Sequence, residues 1–338
     1  MASTLLFAAA LLGGCTDPDP TDSADTAADT GDTATPSGPA WNTAFDTEGL
    51  GALSGVWGSA PDDVFVVGGT PERADILHYD GSDWTPMEAP DVPLLVWVYG
   101  FGPDDVYAVG VGGGFVHWDG QSWSELESGT DEDLWGIWGR SGDELVIVGG
   151  DIDEGEPVLL HWDGSEATPY TLDEKQNPRG ALSLFKVWGT GDTVFALGQR
   201  GLVLQWDGQD WAAVSAGAEA DDDFVSLWGT GEDQIVAVGG RSNARVATWD
   251  GASWTTEAPR GVPGLNAVTL TSADEAIVGG ISGFMGRVDL ATGQVESEGV
   301  LTAMDLHAAW HDGEGRVWMV GGRFYEPYEG VALVREDP

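Results

Sequence analysis

Seventeen tryptophans in a chain of 338 residues invite a chemical reading first. Indole faces stack on sugar rings and on cations, so a set this dense could be a carbohydrate-binding array. Spacing argues against that for most of them. Trp57, Trp138, Trp188, Trp228 and Trp310 follow an apolar residue at one point of a recurring phrase. Trp118, Trp162, Trp206 and Trp249 each precede Asp-Gly, and Trp84, Trp123, Trp211 and Trp254 follow that dipeptide at a constant offset. A residue repeated at one position of a repeat is cement between units. His78, His117 and His161 recur in the same way, one per unit, and so do not converge on a single metal.

Trp97 and Trp135 fall outside that frame, at the entrances of two of the units. Near-equivalent positions elsewhere hold Ser54, Phe185, Lys186, Val225, Asn266 and His307. Varied residues in a repeated frame are where specificity would reside, and Arg323 and Tyr325 lie on a variable loop expected at the same end. Trp97, Trp135, His307, Arg323 and Tyr325 are therefore the candidate ligand-binding residues. An aromatic platform beside an Arg would suit a planar or acidic sugar. Asp151-x-Asp153-x-Gly155 has the spacing of the start of a calcium loop, without its third acid or its distal Glu. Asp151 and Asp153 are thus a fragmentary calcium candidate, and calcium is the one cofactor the sequence admits. No nucleophile–base pairing, zinc signature or phosphate loop appears, so no catalytic residue is assigned.

Composition narrows the function classes. The chain carries 57 acids against 13 bases, a net charge of −44. Nucleic-acid binding needs a cationic footprint, which this charge excludes. Nine of the 13 bases, Lys186 and Arg323 among them, are expected in loops of one face, mixed with acids. The single cysteine, Cys15, permits neither an intramolecular disulfide nor a Cys-rich metal site. Before it runs Leu5–Leu12 (LLFAAALL), too short to span a bilayer. Residues 16–39 hold six Asp, no base and no aromatic, which cannot bury enough surface to fold and predicts a solvated tether.

The elements that must position these residues come from the repeat. In its first copy the phrase runs from Leu53 to Met87. A Gly closes its second apolar run, at Gly68, Gly110, Gly149, Gly198, Gly239, Gly279 and Gly321, at intervals of 42, 39, 49, 41, 40 and 42 residues. A period near 40 with four short β-type runs marks a propeller blade. Seven blades fill residues 40–338, so the fold class is all-β, a seven-bladed β-propeller. In copy one the strands are expected at Leu53–Gly58, Asp63–Gly68, Asp75–Tyr79 and Asp83–Met87. Asp-Gly between the last two predicts a two-residue type I′ turn. Copy six reads VDLATGQV there and predicts a longer turn. Copy seven ends after its third strand, while Trp41 precedes the first inner strand where an outer-strand Trp belongs. Residues 41–46 are therefore expected to pair onto blade seven and close the ring.

Two resemblances extend this reading. Leu12-Gly13-Gly14-Cys15 resembles the bacterial lipobox, which implies a leader over residues 1–14 and a lipidated (palmitate-bearing) Cys15. It also implies a lipid-anchored place on the cell envelope, at the outer membrane or cell surface. Gly68-Gly69, then Tyr79, then Trp84 resembles the Kelch repeat. Over residues 41–338 the pattern is most similar to the VWG…VGG…H-aromatic-DG…W repeats of bacterial surface lipoproteins. The implied function is a monomeric ligand- or protein-binding module whose partner is an envelope protein or a glycan. A lectin-like glycan binder is the first alternative, and a propeller hydrolase or lyase the second.

Overall fold

The computed structural model describes residues 40–217 and 221–336; Cys15 and the acidic segment lie outside the described residues. Seven four-stranded antiparallel sheets hold 28 strands. The inner strands are Ala52–Ala60, Leu95–Gly102, Leu134–Ser141, Leu184–Thr190, Phe224–Gly231, Leu265–Leu270 and Asp305–His311. They pack on one another around a common axis. Second strands such as Asp63–Thr70 (DVFVVGGT) are apolar on successive residues because neighbouring blades cover both faces of each sheet. Beyond strands, the described residues hold three short 3-10 turns. None of their helices is long and apolar enough to cross a membrane.

Blade-to-blade contact is made by one recurring arrangement. The inner-strand Trp of one blade lays its six-membered ring on the Gly of the next. A methyl group on Gly58, Gly100 or Gly229 would lie 2.6–2.8 Å from ring carbons of Trp310, Trp57 or Trp188, and one on Gly189 would lie 3.0 Å from Trp138. The "Trp-Gly" pair in the repeat is thus a knob and a socket facing opposite neighbours. Blade six has Thr269 in place of the Trp, and blade seven has His311 in place of the Gly. Thr269 and His311 thus depart together, whereas blade two has Tyr99 in place of the Trp while blade three keeps Gly139. Trp228 faces the blade whose socket position is Leu270, and it alone of the five inner Trp residues stays half-exposed.

Every inner strand also carries one residue without a partner in the ladder, at the same level. These are Ser54, Val96, Trp135, Phe185, Val225, Asn266 and His307. Each is a β-bulge. The bulge presses a carbonyl onto the closing Gly of the second strand: a methyl on Gly68 would meet the Ala52 oxygen at 2.1 Å, and one on Gly149 the Asp133 oxygen at 2.1 Å. Only Gly fits there. In blade six the residue in this role is Gly280, not Gly279. Gly280 pairs with Leu265, and a methyl on it would stand 2.2 Å from the Gly264 oxygen. In the other Gly-Gly pairs the first Gly has this job, and the register of blade six is offset by one.

The Asp-Gly connections differ from expectation. Tyr79 pairs with Trp84, leaving four loop residues, 80–83. Gly81 has φ +91°, but Asp80 does not adopt positive φ, so the turn is not type I′. The Asp80 carboxylate instead accepts the backbone N–H groups of Ser82 and Asp83 at 2.9 and 3.0 Å. Asp119, Asp163, Asp207 and Asp250 cap their loops in the same way. A side chain acting as a surrogate backbone makes the wider loop stable. Blade six is not longer: Asp289 pairs with Gln294 and its loop also has four residues. The aromatic pairs flanking these loops meet at a tilt within the blade, Trp118 with Trp123 at 5.9 Å and Trp206 with Trp211 at 5.4 Å between ring centroids.

The ring closes through Ala40–Thr43, which pairs antiparallel with the last strand, Glu329–Glu336, as the outer strand of blade seven. Trp41 lies opposite Arg335. Its Nε1 donates to Glu298 Oε2 at 2.8 Å, and Arg335 donates to Glu298 Oε1 at 3.2 Å. Glu298 belongs to the outer strand of blade six, so one carboxylate holds both ends of the described chain.

Two outcomes follow. Deleting residues up to Gly49 removes Trp41 and bares the edge of the last strand; the Trp alone is worth about 3–5 kcal/mol. A thermal melt unchanged from that of the intact chain would refute this closure. Thr269→Trp alone should overpack His311 and cost about 1–3 kcal/mol. Combined with His311→Gly it should recover most of that loss, whereas simple additivity in denaturant melts would show that the two positions do not face each other.

Candidate functional site

The bulges fix what stands at one mouth of the axial channel. They separate two levels of residues that the sequence reading merged. Trp135 and His307 are bulge residues, equivalent to Ser54, Val96, Phe185, Val225 and Asn266. Trp97 is one step further along, equivalent to Gly55, Gly136, Lys186, Ser226, Ala267 and Ala308. At that second level five blades carry Gly, Ala or Ser. Only blades two and four carry large side chains, and the two meet. Lys186 Nζ lies 3.3 Å from the centroid of the Trp97 ring and 3.3 Å from the Trp135 carbonyl oxygen, to which it donates. Blade three, between them, contributes Gly136, which leaves the space open for this crossing.

Lys186 was expected on a loop; it is on an inner strand and only 6% exposed. No carboxylate forms an ion pair with it among the described residues. Burial pushes its pKa well below the usual lysine value. Across the mouth, His307 packs on Phe324 with ring centroids 4.2 Å apart. Burial first, and the charge of Lys186 second, push its imidazole down to about 3. His307 is therefore neutral at physiological pH.

Trp97 and Trp135 are buried, at 4% and 3% exposure, so neither offers an open stacking face. Trp135 Nε1 donates to the Gly150 carbonyl at 2.8 Å, and its ring meets Phe185 edge-on. Arg323 and Tyr325 lie further out on the rim. The Arg323 guanidinium is 5.7 Å from the Tyr325 ring centroid and 3.4 Å from Glu329. Phe324, between Arg323 and Tyr325 in sequence, packs on His307. The five residues therefore share one end of the propeller at two depths, with Trp97, Trp135 and His307 in the channel mouth and Arg323 and Tyr325 outside it.

The remaining candidates resolve into local structure. Asp151 Oδ1 accepts the N–H groups of Asp153 and Glu154 at 2.7 and 3.2 Å, closing its own loop. No group of three or more His, Cys, Asp or Glu among the described residues is arranged to hold a metal. His78 and His117 bond Asp63 and Asp105 of their own blades at 2.6 and 2.8 Å, and His161 accepts from Trp211 Nε1 at 3.3 Å. Three other acids join blades: Asp133, Asp223 and Asp305 each accept a backbone N–H from the left-handed residue of the preceding blade, Gly112, Arg200 and Ser282. The basic residues of this face are engaged as well, Arg241 with Asp223 at 2.8 Å and Arg245 with Asp221 at 3.1 Å.

No protein-family model and no curated protein sequence matches the chain. Solved structures do. YCF48 from Cyanidioschyzon merolae is 15% identical, with a TM-score of 0.65 over 88% of this chain and 99% of that one. YCF48 bound to D1 peptide is 12% identical, with a TM-score of 0.63 over 88% of this chain and 97% of that one. An inactive virginiamycin B lyase from Staphylococcus aureus, with quinupristin, is 12% identical, with a TM-score of 0.69 over 87% and 99%. At such identities the likeness establishes the fold: this chain is a seven-bladed β-propeller.

Proposed function

We propose that the chain is a lipid-anchored propeller of the cell envelope that binds or scaffolds a protein partner on the face carrying Arg323 and Tyr325. One observation carries this reading. Among the described residues, the large hydrophobics left exposed are Val300, Leu301 and Tyr325, at 59%, 56% and 53%. Val300 and Leu301 lie in the loop entering blade seven, and Tyr325 lies between that blade's second and third strands. Both kinds of loop leave the same face in an up-and-down blade. Three exposed large apolar side chains thus sit on loops of one face, all belonging to or leading into blade seven, as at an interaction site. With a charge of −44, the complementary partner is a segment with basic residues around an apolar anchor. A YCF48 propeller that carries a peptide supports a fold of this size serving as a peptide receptor.

The anchor rests on the sequence before and after Cys15. Its lipobox and the acidic segment that follows support a lipidated residue spaced from the membrane by an extended, self-repelling tether.

A photo-crosslinking residue at Tyr325 should capture a discrete protein in cells, while one at Ser82 on the opposite face should not. Equal capture from both positions, or capture of glycan alone, would overturn the reading. Cys15→Ser should abolish acyl labelling and leave an unprocessed precursor; unchanged labelling would remove the anchor from the proposal.

A further inference from the structure

The chain has only two lysines. Lys175 is exposed on a loop, and Lys186 is the buried cation of the channel mouth. An ammonium out of water is normally paired with a carboxylate. Lys186 instead has one carbonyl and one indole face, which leaves donor capacity unused. Two more polar side chains of the same two levels are buried without a side-chain hydrogen bond among the described residues: Asn266 (4% exposed) on blade six and Ser226 (2%) on blade five. His307 on blade seven likewise makes no hydrogen bond there. Between these blades the bulge residues Val96, Val225 and His307 remain partly exposed, so the opening reaches inward to the level above Lys186.

We propose that this mouth is a receptor for a small carboxylate, held by the Lys186 ammonium with Asn266 and Ser226 as further donors. The chemistry of the lining selects the class. A metal cation would need acids, and none faces Lys186. A neutral sugar would need an open aromatic face, and the Trp97 face is covered. An oxyanion would find the Lys186 ammonium beside an indole, with the Asn266 amide on blade six and the Ser226 hydroxyl on blade five at the same two levels of the ring, in a water-poor setting where charge-assisted hydrogen bonds are strong. This site is independent of the outer rim and of the protein partner assigned to it.

The ligand and the proton are linked. A bound carboxylate favours the ammonium, so it raises the depressed pKa of Lys186. Affinity is therefore greatest between the ligand's own carboxyl pKa, about 4, and the free-state pKa of Lys186, and falls as pH rises past the latter. Of the groups around it, the Trp97 ring and the Trp135 carbonyl do not titrate, and His307 stays neutral until pH about 3.

With two lysines, 13C-lysine NMR of the full chain gives two side-chain ε-methylene signals, assigned by Lys175→Arg. Titration with succinate should shift the Lys186 signal and move its midpoint upward, leaving Lys175 unchanged. Calorimetry should show roughly 10- to 100-fold weaker succinate binding in Lys186→Met, the loss of one charge-assisted bond. N-acetyl-glutamyl amide in place of succinate distinguishes a peptide side chain from a free acid; binding of either supports the site. A Lys186 signal unmoved by both probes, or undiminished binding by Lys186→Met, would overturn the proposal.

Discussion

The propeller depends on an indole seated on a glycine of the next blade. Each sheet alone is a four-stranded meander with two apolar faces, and only its neighbours can cover them. The Trp-on-Gly contact sets how closely inner strands approach, because the ring thickness replaces the side chain that the Gly lacks. Trp310 on Gly58 carries the same contact across the closing seam, so the ring is continuous where the chain is not. Thr269 and His311 lose knob and socket together, while Trp228 keeps its indole opposite Leu270 and is left partly exposed.

That pairing also explains what was legible in the sequence. Blade number, strand order and closure by Trp41 follow from a period that residue types display openly. The hairpin loops did not, because Asp-Gly suits both a two-residue turn and an Asp-capped four-residue loop; strand register, absent from the sequence, decides between them. The bulges were hidden for a similar reason. They add a residue to one strand without changing the repeat length, so Trp97 and Trp135 look equivalent when they are one position apart. Once the offset is known, Lys186 stands out as a long side chain where five blades have Gly, Ala or Ser.

The two depths of the candidate site obey different physics. On the rim, Tyr325 and its neighbours are exposed and cost the fold little, so their identity is free to follow a partner. In the mouth, Lys186 and Trp97 fill space that would otherwise be void, and the energetic cost of burying an ammonium falls on the fold itself. A purely structural filler would more simply be Leu or Met, which carry no desolvation penalty. An amine is thus kept in a buried place, against its desolvation cost, in a protein whose bases are outnumbered by its acids, 13 to 57.

Glu298 has a consequence for how the chain avoids misassembly. Seven similar units could in principle accept the first strand at any blade whose outer position is vacant, during folding or between two molecules. Seating Trp41 and Arg335 on one carboxylate makes only one docking place chemically complete. The outer-strand indoles of Trp84 and Trp254 have no hydrogen-bond partner among the described residues, so the acid marks the one outer position that Trp41 fills. In a chain of repeats, a sequence feature that is not repeated tells the ends which neighbour is theirs.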